Sequence, residues 1–300
     1  MASFIHNRLL CFVLSLLIIL PLALSSVPEE TSPLVHHGGR LLTGNLNIGI
    51  LWYGPIPKAQ KKAILSFLRS LNIDDAAAAD KKPQVSTWWH IVESYQAFAK
   101  TPTPGTPRIQ VKVVHEEVDP NYSYGKVLIK DFIKPLIPKA TAGRSNTLAL
   151  IVASNGVTVQ DMCAGSCAQH GLIEEQPYVA VGDPEEECPE CAWPFLPSPT
   201  KPTGIMKPPS GNVGADSMVM LLAGGLAGAV TNPYMDGFYS VARGEHIIEV
   251  TTKCSGIFAT GKLPVNPVNG GVFNTHGEED TKFLLPALWN PKTSSCWTPL

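Results

Sequence analysis

The cysteines hold the densest chemistry in this chain. Cys163-x3-Cys167-x2-His170 is followed by Cys188-x2-Cys191, while Cys254 and Cys296 stand apart near the C-terminus. Thiolates and an imidazole at such spacings could close a tetrahedral Zn²⁺ site that staples a loop. Oxidation competes with that chemistry, because an exporting route pairs thiols before metal captures them. The expectation is therefore disulfides among Cys163, Cys167, Cys188, Cys191, Cys254 and Cys296, with no metal site, no cofactor, and all fifteen connectivities of six cysteines open. Cys188-Pro189-Glu190-Cys191 also has the spacing of a redox pair. Pro189 and the surrounding acids Glu185, Glu186, Glu187 and Glu190 disfavour the reactive thiolate, which leaves a structural bridge.

Other reactive side chains give weaker patterns. Glu174 with Glu175, or Asp183 with Glu185, could serve as paired carboxylates for glycoside hydrolysis, although adjacent acids in a loop more often form a solvated face. No His-x3-His pair, Gly-x-Ser-x-Gly elbow or Walker loop occurs. His90, beside Trp88 and Trp89, reads as a partly buried, satisfied imidazole. Trp52, Tyr53, Trp88, Trp89, Trp193 and Tyr234 could line a sugar platform, but they sit in apolar runs, where core packing is the default. No catalytic residue is assigned. Asn121-Tyr122-Ser123 is a glycosylation sequon in a turn-like stretch.

The elements that must position these groups follow from the apolar pattern. Residues 1–25 read as a signal peptide, with basic Arg8, an apolar run from Leu9 to Leu24, and small Ala23 and Ser25 before the cut. Pro21 and a length short of about 20 apolar residues argue against an anchor. Residues 26–45 read as a flexible tail and 46–300 as one domain. Of 23 basic residues Arg8 lies in the leader, against 25 acidic, so the mature chain is slightly acidic with no basic block. That excludes nucleic acid as an expected partner.

Asn47 to Gly54 reads as a buried strand, and Ala59, Ala63, Ile64, Phe67, Leu68 and Leu71 as one face of a helix begun by Pro57. Asp74 to Pro83 reads as a loop or short helix, and Ser86 as the cap of a helix over Thr87–Lys100. After the Thr101-to-Gly105 breaker come a strand over Arg108–His115, a helix over Val127–Ile137 stopped or kinked by Pro135, and strands over Leu148–Ser154 and Pro177–Val181. Pro184 to Ser210 is a proline-rich loop held by cysteines. Asp216 to Val230 is an all-apolar helix, too short to cross a membrane and so a buried core helix, with a Gly224-to-Gly228 close-contact face. The fold class is α/β: a single domain with a mixed central sheet flanked by helices and a disulfide-stapled, loop-rich C-terminal half.

Taken together, the motifs resemble the plant EXORDIUM-like, or phosphate-induced, protein family. The matching stretches are Asn47 to Lys61, Ser86-Thr87-Trp88-Trp89, Ala153-Ser154, Val157 to Cys163, Cys188 to Phe195, Gly211 to Asp216, Thr231-Asn232-Pro233, Phe283 to Trp289, and Cys296. The resemblance implies a secreted protein of the apoplast or cell wall, tied to brassinosteroid-dependent growth. Its partner would be an unidentified cell-wall polysaccharide or extracellular protein. It also brings a zincin-like expectation, because the family pattern includes a His-Glu-x-x-Glu stretch on the helix that ends in Thr-Asn-Pro. At the matching positions this chain has Gly224, Gly225 and Gly228, which offer no ligand atom. The expected role is a non-catalytic regulator; the alternatives are a carboxylate-based wall hydrolase and a zinc-dependent binding module.

Overall fold

A computed structural model of the chain describes residues 33–74, 81–100, 108–164, 166–202, 204–242 and 246–300. The leader, the tail up to residue 32, the stretch after Asp74 and the Thr101-to-Gly105 breaker lie outside the described residues. The remainder of the tail is tied down. Leu34 is buried, and Val35–His36 pairs with Phe238–Val241 as a short strand.

Five strands form the main sheet: β1 (Asn45–Tyr53), β2 (Gln110–Asp119), β3 (Thr147–Ala153), β4 (Gln169–Ile173) and β5 (Gln176–Gly182). Their order is β2-β1-β3-β5-β4; the first four in that order run parallel, and β4 returns antiparallel at the edge. Parallel strands covered on both faces read as continuous apolar runs, as β1 and β3 do. Side chains alternate across a strand, and the alternation feeds two cores. Ile48, Ile50, Trp52, Leu148, Leu150, Val152, Val179 and Val181 face the larger one. Leu51, Tyr53, Ala149, Ile151, Ala153, Tyr178 and Ala180 face the smaller one.

Three helices cover the larger core: α1 (Lys58–Ser70), α2 (Val85–Ser94) and α3 (Val213–Thr231). In α1 the apolar stripe Ile64, Phe67 and Leu68 is buried as the spacing predicts. The start of α2 differs from expectation. Ser86 is a buried residue of its first turn rather than its cap, and the helix tightens into a 3₁₀ turn over Tyr95–Phe98 before Lys100.

The smaller core is roofed by what reads in sequence as one helix from Val127. Val127–Leu128 instead pairs in parallel with Thr158–Val159. Short helical turns follow over Lys130–Ile133, Lys134–Leu136 and Ile137–Thr141, because Pro135 and Pro138 lack the N–H that a continuous ladder needs.

The central helix, α3, starts where Asn212 accepts from Ala215 N–H at 2.8 Å. It runs 19 residues, longer than its apolar core suggested, and by length and hydropathy it could cross a membrane. Its length does not place it in the core, contrary to expectation; packing does, with nearly every residue buried. Even Asp216 is buried in its first turn. Burial pushes that carboxyl up to about 6, although Ser210 N and Oγ both donate to it at 2.8 Å.

One close approach fixes the sheet against its smaller roof. A Cβ on Gly49 would lie 2.0 Å from the Ala140 carbonyl oxygen, which is backbone and has no rotamer to move. Gly49→Ala should therefore lower stability by about 1–3 kcal/mol, the usual range for overpacking. Urea unfolding measures it; an unchanged midpoint would mean that the roof is not seated as described.

Candidate functional site

Two disulfides run side by side. Cys163 pairs with Cys188 and Cys167 with Cys191, at Cα separations of 5.6 and 5.3 Å, and Cys254 pairs with Cys296 at 5.6 Å. The first two clamp the turn before β4 to the loop after β5. The sulfurs of Cys163, Cys188 and Cys191 lie within 4.8 Å of one another, but each belongs to a disulfide and no thiolate remains to ligate zinc.

Three residues beyond Cys167, β4 carries His170 beneath α3. Its Nε2 lies 2.7 Å from Glu249 Oε2, with the two side chains only 9% and 15% exposed. The other carboxylate oxygen accepts from Asn232 Nδ2 at 2.7 Å, and Asn232 Oδ1 accepts from Gly237 N at 2.8 Å. A strand, a helix end and the segment before Val250 thus meet in one polar cluster. His170 Nδ1 is buried without a hydrogen-bond partner among the described residues. Burial works against the Glu249 charge, yet His170 and the bonds from His170 and Asn232 outweigh it and hold the carboxyl below the ordinary glutamate range.

The glycines of α3 make room for this cluster. A Cβ on Gly228 would lie 2.5 Å from His170 Nε2; on Gly225 it would lie 3.0 Å from Val179 and 3.3 Å from Ala168; on Gly224, 3.5 Å from Thr251. Where the family pattern suggests ligands on the helix, this chain presents a packing face. One of those spaces is filled by an imidazole from the sheet.

A groove of about 350 Å³ is lined by Arg40, Leu172, Glu175, Tyr234 and Asp236, none of them part of the cluster. Leu172 follows His170 by two residues and shares its strand face. The guanidinium of Arg40 lies 4.8 Å from the centre of the Tyr234 ring. Tyr234 is thus a groove residue, whereas Trp52, Tyr53, Trp88 and Trp89 are core, as their apolar surroundings predict.

The two carboxylate pairs read from sequence, Glu174 with Glu175 and Asp183 with Glu185, flank β5 at its opposite ends. Glu174 and Glu175 form the exposed turn between β4 and β5, where Glu174 pairs with Lys134. Asp183 lies at the other end of β5, about 26 Å from Glu175 by strand rise, where it holds Gln60 Nε2 at 2.5 Å and Glu185 N at 3.1 Å. His90 sits within 3.7 Å of Glu93 and 2.5 Å of Arg108. Asn121 is exposed on a turn, accessible to a modifying enzyme. Sequence reasoning missed Glu249. Its only signal was a lone acid within the apolar run Ile247-Ile248-Glu249-Val250.

Comparison with known proteins gives a consistent set of relatives. The sequence model described as "Phosphate-induced protein 1 conserved region" matches residues 34–299. Protein EXORDIUM-like 6 of Arabidopsis thaliana is 36% identical, with 95% of each chain covered. Protein EXORDIUM of the same plant is 32% identical over 91% of each chain. Protein PHOSPHATE-INDUCED 1 of Nicotiana tabacum is 31% identical over 90% of this chain and 89% of its own. No solved structure matches.

The polar cluster has a pH signature. A carboxyl whose folded pKa is depressed adds stability that is present above its unfolded value, near 4.5, and is lost as pH falls through the folded value. Glu249→Gln should cost about 1–3 kcal/mol at pH 7, as expected when buried groups lose a hydrogen-bond partner, and should flatten the acid limb of stability below pH 4.5. Urea unfolding from pH 3 to 7 checks this; parallel curves for wild type and variant would contradict it.

Proposed function

Because this chain belongs to the family of EXORDIUM-like and phosphate-induced proteins, we propose that it works outside the cell, in the apoplast or wall, as a non-catalytic regulator of brassinosteroid-dependent growth. The observation that carries the reading is that every cysteine beyond Cys11 is paired. Three disulfides form and persist in an oxidising compartment and are rare in the cytosol. The leader at residues 1–25 and the exposed Asn121 support the same route.

The non-catalytic part is supported by the packing of α3. Gly224, Gly225 and Gly228 supply no donor atoms, Glu174 is paired with Lys134, and buried Asp183 accepts from Gln60 Nε2 and Glu185 N. What remains is a rigid, stapled body whose working parts are surfaces. Its partner is a wall polysaccharide or an extracellular protein.

Expression of the full chain in plant cells tests the reading. The expected result is protein in the apoplastic wash that begins at Ser26, has no free thiol, carries a sugar on Asn121, and restores growth in plants lacking it. Retention in the cytosol with reduced thiols would overturn the location. Turnover of wall glycans or peptides by the purified protein would overturn the non-catalytic role and favour the hydrolase alternative.

A further inference from the structure

The segment after β2 carries an exposed face that the core does not use. Tyr124 and Phe132 are 37% and 40% exposed, with ring centroids 6.2 Å apart. Lys126 Nζ lies 5.1 Å from the centre of the Tyr122 ring, and Lys139 Nζ lies 6.0 Å from that of Tyr124. Lys139 is held by the buried Asp119 and Lys134 by Glu174. Lys126 and Lys130, both exposed, have no ion-pair partner among the described residues. Besides Asp119, the only acid from 118 to 139 is Asp131. Exposed rings and uncommitted ammonium groups therefore occur together along this segment.

We propose that this face docks an anionic polysaccharide, a polymer of uronate sugars. The C–H faces of the sugar rings lie on Tyr124 and Phe132, and their carboxylates meet Lys126 and Lys130 in charge-assisted hydrogen bonds. The combination of ring and ammonium selects this occupant. The buried centre of a protein interface is depleted of charge, especially lysine, whereas here ammonium groups stand beside Tyr122 and Tyr124. A bilayer needs apolar groups that reach below the headgroups, and these rings are more than half covered. The site names the wall partner of the reading above and rests on it.

Gel retardation of the full secreted chain in polygalacturonate tests the site, with fully methyl-esterified polymer as the neutral control. Glycosylated and deglycosylated protein are both run, and retention of either counts as binding. The expected result is retention by the acid polymer, lost on esterification and in 1 M salt, where the Debye length falls to about 3 Å. Lys126→Ala with Lys130→Ala, and separately Tyr124→Ala with Phe132→Ala, should each weaken binding about tenfold with unchanged unfolding midpoints. No retention, retention insensitive to both double variants, or variant-sensitive capture by anionic phospholipid vesicles instead would overturn the proposal. The outcomes stay separable from the wall-regulator reading: failure to bind in a chain still secreted and growth-restoring sinks only the docking site. Cleavage of the bound polymer sinks only the non-catalytic role.

Discussion

A helix without a polar face has to be covered on every side, and α3 is such a helix. Almost all of its residues from Gly214 to Thr231 are buried, with even Asp216 and Ser217 enclosed. The sheet covers one side and α1 and α2 another, so the long C-terminal segment must supply the rest. That segment contributes few regular elements of its own, but Phe258, Phe283, Leu285 and Leu288 join the same core. Apolar burial drives this arrangement without specifying it, since one hydrophobic face can slide against another. Specificity comes from the glycine seam, where the backbone of α3 approaches Val179, Ala168 and His170 too closely for any side chain to intervene.

The disulfides answer the weakness that this design creates. Loop-rich cover loses much conformational entropy on folding and gains few backbone ladders in return. Bridges spanning 24, 25 and 42 residues restrict the unfolded chain by about 3–4 kcal/mol each on the chain-entropy account. They also fall where the cover is thinnest. Two of them hold the proline-rich loop after β5 against the turn before β4, and the third ties the 252–254 turn to the final strand pair.

Elements whose burial is set by their own sequence were legible. The continuous apolar runs of β1 and β3 and the stripe of α1 state their burial in their own residues, although which core each β3 side chain faces does not show in so uniform a run. Elements set by distant partners were not. Ser86 looks like a cap, yet the chain enters α2 two residues earlier because Val85 is wanted in the core. Gln169–Ile173 is too short and polar to announce a strand, and it becomes one only because a tight turn at Glu174 and Glu175 returns it along β5. Cysteine spacing could count bridges but not choose among them. The His170–Glu249 contact joins residues 79 apart, with nothing local to reveal it.

That contact also bears on what kind of site this is. A general base must reach the proton it takes, either directly or through one water. In His170 one nitrogen is committed to Glu249, and the other is enclosed beneath α3 with nothing to take a proton from among the described residues. The pair is aimed inward, at the helix, whereas the groove that offers Arg40, Tyr234 and Asp236 is lined by other residues. A buried contact to a carboxylate is weak evidence for stability, because desolvation of the charge consumes most of the attraction. Its better-attested use is register, and here it joins β4, the end of α3 and the segment before Val250 at one point. Gly228 then follows as a consequence: once an imidazole anchors the helix, the helix can place no side chain there, ligand or otherwise.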